Sequence, residues 1–154
     1  MKADERAKLI ESYLDGYRVV KDALSGIKPE ELDRSASGEW TPRQIAHHLA
    51  DSEMMSALRI RRLLSEDEPV IHGYDEAAFA RKLTTDRPIE PSIEAMRWAR
   101  ESTAQLLERM TEEDWRRVGT HTESGSYSAE DWLNIYAAHA HDHAGQIKRS
   151  RGRA

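Results

Sequence analysis

Apolar residues recur every three or four positions along four long stretches of this chain, and that period limits what it can fold into. In the first stretch Leu9, Tyr13, Tyr17, Val20 and Leu24 form one stripe. In the second, Ile45, His48, Leu49, Ser52 and Met55 lie along one face. In the third the face is Ile93, Met96, Ala99, Thr103, Leu106, Leu107 and Met110, and in the fourth Trp132, Ile135, Tyr136, His139, His143 and Ile147. Residues at this spacing share one side of an α-helix. Strict alternation does not persist anywhere and β-branched residues are sparse, so no strand pattern competes. Helices with one apolar face bury it against each other. The expected fold is therefore all-α, an up-down four-helix bundle with a long connection between the second and third helices, and residues 1–154 form one domain.

Local signals set the boundaries. The first helix runs from about Asp4 to Leu24 and is stopped by Gly26, with a turn around Pro29, Glu30, Glu31 and Leu32. The second has Thr41 as N-cap, Pro42 at the first helical position and Gln44 three residues after the cap, and continues to about Leu64. That is a capping box, with proline where its missing N–H costs nothing. Residues 66–90 form the long connection, with a short helix from about Asp75 to Leu83; connections this long are usually functional or mobile. The third helix spans about Ser92 to Met110, a turn runs from Thr111 to Trp115, and the fourth helix, capped by Ser128 with Asp131, reaches about Arg149. The halves echo each other. Each has a helix, a short acidic turn, a Gly-x-aromatic-Ser/Thr start (Gly38-Glu39-Trp40-Thr41, Gly125-Ser126-Tyr127-Ser128) and a helix bearing histidine.

Composition removes several function classes. A formal net charge of -5 argues against nucleic acid as a partner, because phosphate binding needs clustered Lys and Arg. The one basic cluster, Lys148, Arg149, Arg151 and Arg153, reads as a solvated helix end that suits the helix dipole. With no cysteine among 154 residues, a disulfide scaffold, a thiolate metal site and a cysteine nucleophile are all excluded. No apolar run approaches the ~18 residues a membrane span needs and the N-terminus lacks an apolar signal region, so a soluble, cytoplasmic protein is expected.

Histidine carries the chemistry. Five of the seven histidines lie in two helical patches, His47-His48 and His139-Ala140-His141-Asp142-His143. Residues four apart on a helix are separated by about 40°, so His139 and His143 can offer ring nitrogens to one ion, whereas His141 points about 200° away from His139. Alone, the pair suits either a shared metal or two separately hydrogen-bonded core histidines. On the second helix His48 follows the apolar stripe, and His47 is displaced by about 100° toward the edge of that face; His48 is the third candidate ligand. Asp51 and Ser52 share its face and can orient the ring or hold a bound water. His72 and His121 fall in loops and read as solvated, and Trp40 and Trp132 read as core. H-E-x-x-H and Glu-x-x-His are both absent, which removes the zincin and di-iron readings.

Three stretches together resemble the DinB/YfiT-like superfamily. They are GEWTPRQIAHHLADSEM at 38–54, with His48 eight residues after Trp40, YAAHAHDHAGQI at 136–147, with His139 and His143 four apart, and EDEPVIHGYDEAAFARKL at 66–83. The resemblance, to the branch that includes metal-dependent hydrolases and bacillithiol transferases, covers about residues 10–149. It implies a four-helix bundle with one Zn²⁺ or Ni²⁺ per subunit on His48, His139 and His143, and a homodimer. Where that branch commonly carries a histidine beside the last ligand, this chain has Asp142.

Three neutral ligands leave a divalent ion its full charge and an open position. Two enzymatic readings follow for a small-molecule substrate: a hydrolase using metal-activated water, or a transferase of a low-molecular-weight thiol using metal-bound thiolate, the thiol coming from the cosubstrate. Asp51 and Asp142 are the candidate acid/base residues. The stretch holding Tyr74, Asp75, Glu76 and Phe79 is expected to cover the metal end and touch substrate. In a third, non-enzymatic reading the metal only ties the second and fourth helices together.

Overall fold

The computed structural model describes residues 1–36 and 38–152; Arg153 of the basic tail lies outside them. Four long helices form the bundle: α1 (Ala3–Leu24), α3 (Pro42–Ser65), α5 (Glu90–Leu107) and α7 (Ala129–Ser150). Short helices α2 (Pro29–Leu32) and α6 (Glu112–Trp115) occupy the two acidic turns, and α4 (Glu76–Lys82) lies in the long connection. The capping boxes form as the sequence predicts. Thr41 Oγ1 accepts from the Gln44 N–H at 3.2 Å while Gln44 Oε1 accepts from the Thr41 N–H at 3.0 Å; Ser128 and Asp131 repeat the arrangement at the start of α7. The internal echo is also structural. Gly38 and Gly125, each three residues before an N-cap, both have positive φ, 76° and 81°, a conformation glycine adopts at no steric cost.

The run of the helices refines the expected up-down order. His47 meets Ser92, Glu53 meets Arg100, and Arg61 meets Ser102 and Thr103, so α3 and α5 are parallel neighbours. Ser12 meets Ala137 and Ala23 meets Arg151, so α1 and α7 are parallel as well. Directions alternate within each half of the chain and not between the halves. A 24-residue helix is about 36 Å long, and returning to its start to begin a parallel neighbour needs a long crossover. Residues 66–89 supply it.

The sequence shows no strand pattern, yet three short strands pair: β1 (Val70–Ile71), β2 (Val118–His121) and β3 (Gly125–Ser128). β1 runs parallel to β2 (Val70↔Thr120) and β2 antiparallel to β3 (Gly119↔Tyr127). Strands of two and four residues are too short for alternation to register, and tertiary pairing makes them. Gly119 permits the close approach, since a Cβ there would sit 2.5 Å from the Pro69 carbonyl oxygen. Arg117 then donates to the carbonyls of Leu63 and Glu66 at the end of α3.

The interior has two apolar clusters, one around Tyr13, Ile60, Leu63, Trp132 and Leu133, the other around Val20, Ile45, Leu49, Met96 and Ile147. Between them lies a buried ion pair that the apolar stripes do not reveal. Arg100 (2% exposed) donates from Nε and from a terminal nitrogen to Glu53 Oε1 (0% exposed) at 2.9 and 2.6 Å. Arg100 also donates to the carbonyls of Tyr13 and Tyr136, and the Tyr13 hydroxyl reaches Glu53 Oε2 at 3.3 Å. Gly16 makes room, because a Cβ there would meet the guanidinium at 2.1 Å. All four long helices are joined at this level.

Removing one partner of a buried pair strands the other charge. Arg100→Met is expected to destabilise the fold by about 3–5 kcal/mol in urea denaturation, and Glu53→Leu together with Arg100→Met is expected to recover most of that loss. Additive losses in the double variant contradict this account.

Candidate metal centre

His48 lies in the second turn of α3, and its neighbours Ile45 and Leu49 are completely buried. The stripe that puts them into the core carries His48 (3% exposed) toward α7. There His139 and His143 point toward the same place from α7, while the neighbouring Ala140 packs toward Gly16 of α1. His139 Nε2 is 3.1 Å from His48 Nε2 and 3.2 Å from His143 Nε2. The rings meet edge to face at centroid distances of 4.6–5.1 Å. Two nitrogens bound tetrahedrally at 2.0–2.1 Å from one ion stand about 3.3 Å apart, so the spacing fits a shared cation. Among the described residues these three form the one group of histidines and carboxylates close enough to hold a metal ion, with ligand atoms within 4.8 Å of one another.

Protonation and tautomer agree with that geometry. Burial pushes His48 down to about 3, helped by His143, and His139 down to about 2, helped by His143 and His48. His143 is also lowered by burial, against the Gln146 hydrogen bond and the Asp142 charge, which raise it. Neutral imidazole is the ligating form. The Nδ1–H of His143 donates to Gln146 Oε1 at 2.6 Å, which leaves Nε2 as the lone-pair nitrogen facing the other two rings. Nδ1 of His139 is buried and has no hydrogen-bond partner among the described residues.

The site opens to solvent through a cleft of about 280 Å³ lined by Gly38, Glu39, Trp40, Glu76 and Gln146 beside His48 and His143. Trp40 therefore belongs to the site and not only to the core. Its indole meets the His48 ring at 4.8 Å and lies parallel to His143 at 6.2 Å. Trp132 is core as expected, fully buried with Nε1 donating to the Ser56 carbonyl. The 66–90 connection reaches the metal end, since α4 packs along α3 and Gln44 donates to the Ala80 carbonyl at 3.4 Å. It brings Glu76 to the cleft. Asp75 instead caps α4, accepting from the Ala78 N–H at 2.8 Å, and the Tyr74 ring meets Phe79 at a tilt of 58° with centroids 5.0 Å apart.

The remaining sequence candidates lie further out. Asp51 is half-buried on α3; burial raises its carboxyl, against the pull of Arg87, and its buried Oδ2 has no hydrogen-bond partner among the described residues. Asp142 is exposed and reaches the cluster only through its charge on His143. Neither lines the cleft. His47 is not at an edge: it is buried between α3 and α5 with Nδ1 2.7 Å from Ser92 Oγ and Nε2 3.3 Å from the Arg87 carbonyl. His141 turns to α1, 3.0 Å from the Ser12 carbonyl. His72 is exposed, and His121 is half-buried on β2. Gln146 was not singled out by sequence; its signal was an amide three residues after His143, on the same helix face.

Comparison with known proteins places the chain among relatives. The sequence profile of the DinB superfamily matches residues 14–147. A candidate metal-dependent hydrolase of Oceanobacillus iheyensis is 37% identical over 131 residues, 84% of this chain and 76% of that protein. YfiT of Bacillus subtilis, also named as a candidate metal-dependent hydrolase, is 31% identical over 132 residues, 83% of this chain and 74% of its own length. A solved structure of YfiT, described as having an unusual four-helix bundle topology, matches with a TM-score of 0.91 at 27% identity over 100% of this chain and 91% of that one. This chain belongs to the DinB superfamily.

Proposed function

We propose that the protein is a metal-dependent hydrolase of a small-molecule substrate, with one divalent ion, Zn²⁺ or Ni²⁺, held by His48, His139 and His143. The observation that carries this reading is the convergence of three Nε2 atoms at 3.1 and 3.2 Å beside a cleft that reaches solvent. Imidazole suits both metals. A divalent ion with three neutral ligands supplies a water of lowered pKa and polarises a carbonyl.

The chain's own residues have separable tasks. Burial keeps the imidazoles unprotonated. Gln146 fixes the His143 tautomer through the 2.6 Å bond from Nδ1–H. Trp40 packs against two of the ligand rings and narrows the approach. Neither aspartate lines the cleft; of the two, Asp51 is kept as the acid/base candidate, because its carboxyl is raised by burial and its Oδ2 has no hydrogen-bond partner among the described residues. Asp142 acts through its field on His143.

Chelator-treated protein reloaded with Zn²⁺ or Ni²⁺ is expected to regain hydrolysis of a panel of esters and amides without added thiol. Turnover that appears only with a low-molecular-weight thiol establishes transfer in place of hydrolysis. A folded, metal-loaded protein inert in both assays marks the ion as a structural tie between α3 and α7.

Gln146→Leu removes the acceptor for the His143 proton and keeps the ring. Metal affinity, measured by competition with a chromogenic chelator, is expected to fall about 10–100-fold. Asp142→Asn, at an exposed position, is expected to leave metal content unchanged. The opposite ranking of these two variants contradicts the assignment.

A further inference from the structure

His139 and His143 face one point from α7, but their rings are fixed differently. The outer nitrogen of His143 is held by a hydrogen bond, from Nδ1–H to Gln146 at 2.6 Å. His139 has no such hold: its Nδ1 is buried with no hydrogen-bond partner among the described residues. A ligating imidazole is ordinarily oriented through its second nitrogen. For His139 that task falls to packing. The ring of Tyr136, three residues earlier on α7, meets it at a centroid distance of 6.0 Å and an angle of 77°. That is an edge-to-face contact within the range aromatic pairs favour.

Tyr136 is itself held at three points. Its carbonyl accepts from Arg100 at 3.1 Å, its ring lies 5.3 Å from that of the buried Trp132, and its hydroxyl accepts from Arg59 Nη1 at 2.8 Å. Arg59, half-buried on α3, gives its other terminal nitrogen to the His72 carbonyl at 2.9 Å. Its guanidinium thus donates to two neutral oxygens, one on α7 and one on the crossover. A hydrogen bond from a charged donor is stronger than a neutral one. A tyrosine ring turns about two side-chain torsions, and with the hydroxyl pinned to α3 the ring cannot tilt away from His139 unless that bond breaks. We propose that Arg59 is a positioning residue for the metal centre: through Tyr136 it fixes the His139 ring in the orientation that brings its Nε2 to those of His48 and His143. This rests on the three histidines holding an ion, and its test reads metal binding instead of turnover.

The test measures Zn²⁺ dissociation constants by chelator competition for the full chain, Arg59→Met, Tyr136→Phe and the double variant. Urea denaturation of each metal-free protein first establishes that it is fully folded under the assay conditions. Both single substitutions keep the bulk of the side chain and remove one end of the same bond. Each is expected to weaken Zn²⁺ binding about tenfold, and the double variant no more than the weaker-binding single one, because both act through one link. The Co²⁺-loaded proteins give a second readout, visible bands that follow ligand geometry; these are expected to shift in the variants at an unchanged one ion per chain. Metal-free variants of lower stability with unchanged Zn²⁺ affinity and Co²⁺ bands show a purely structural role and overturn the proposal. Additive losses in the double variant also overturn it, since they place the effect of Arg59 in its bond to the crossover. A full chain without substitutions that binds neither ion overturns the metal centre itself. Binding that is intact there and equal in all the variants overturns the positioning role alone.

Discussion

The buried pair of Glu53 and Arg100 is the constraint on which the rest of the bundle is set. An ionised carboxylate and guanidinium withdrawn from water are costly unless geometry and remaining hydrogen bonds are nearly ideal. Here the guanidinium is shared among Glu53 on α3 and the backbone carbonyls of α1 and α7. Sliding any of these helices by one turn would leave a charge or a carbonyl unpaired in the core. Apolar contacts above and below tolerate small shifts; this layer does not. It therefore fixes register, and register decides whether the imidazoles meet. His48 lies five residues before Glu53 on α3, and His139 three residues after Tyr136 on α7.

Given that register, the chemistry of the centre follows from burial. Imidazoles in water at neutral pH are partly charged; these are held neutral because the surrounding helices exclude solvent and each ring disfavours a proton on the next. Three lone-pair nitrogens facing one point do not satisfy each other as hydrogen-bond partners, since each N···N contact needs a proton to bridge it. A shared cation satisfies all three. The cleft side of the cluster is lined by Glu39, Glu76 and Trp40, and ligand and solvent reach the site past them. The crossover that allows α3 and α5 to run in parallel is also the segment that delivers Glu76 there, so topology and site composition have a common origin.

Much of this was legible in the chain, because the strongest signals are local. Thr41-Pro42 with Gln44 and Ser128 with Asp131 specify helix starts within a few residues, and the i, i+4 pair His139/His143 needs only helical geometry to share a face. The His48 and His47 choice also followed from the apolar stripe, although His47 proved buried against α5 and not peripheral. What sequence periodicity missed is non-local. Glu53 and Arg100 interrupt two apolar stripes with opposite charges, while Gly16 interrupts a third; the three matter only once the helices are packed. The short strands around Gly119 depend on pairing between segments about fifty residues apart. Trp40 read as core because half of its surroundings are core, and its contact with His48 and His143 needed the α3–α7 packing. The boundaries of α5 differ from the expected ones at both ends, where Pro91 and the turn after Leu107 carry weak signals.

The most direct measurement of the central claim is calorimetric titration of Zn²⁺ or Ni²⁺ into metal-free protein beside its His139→Ala variant. His139 Nε2 lies 3.1 and 3.2 Å from the Nε2 atoms of His48 and His143, so its removal breaks the group while leaving the Glu53–Arg100 layer in place. One ion bound per chain, with affinity lost by orders of magnitude in the folded variant, is the predicted result. No saturable binding, or binding that His139→Ala leaves unchanged, contradicts the account.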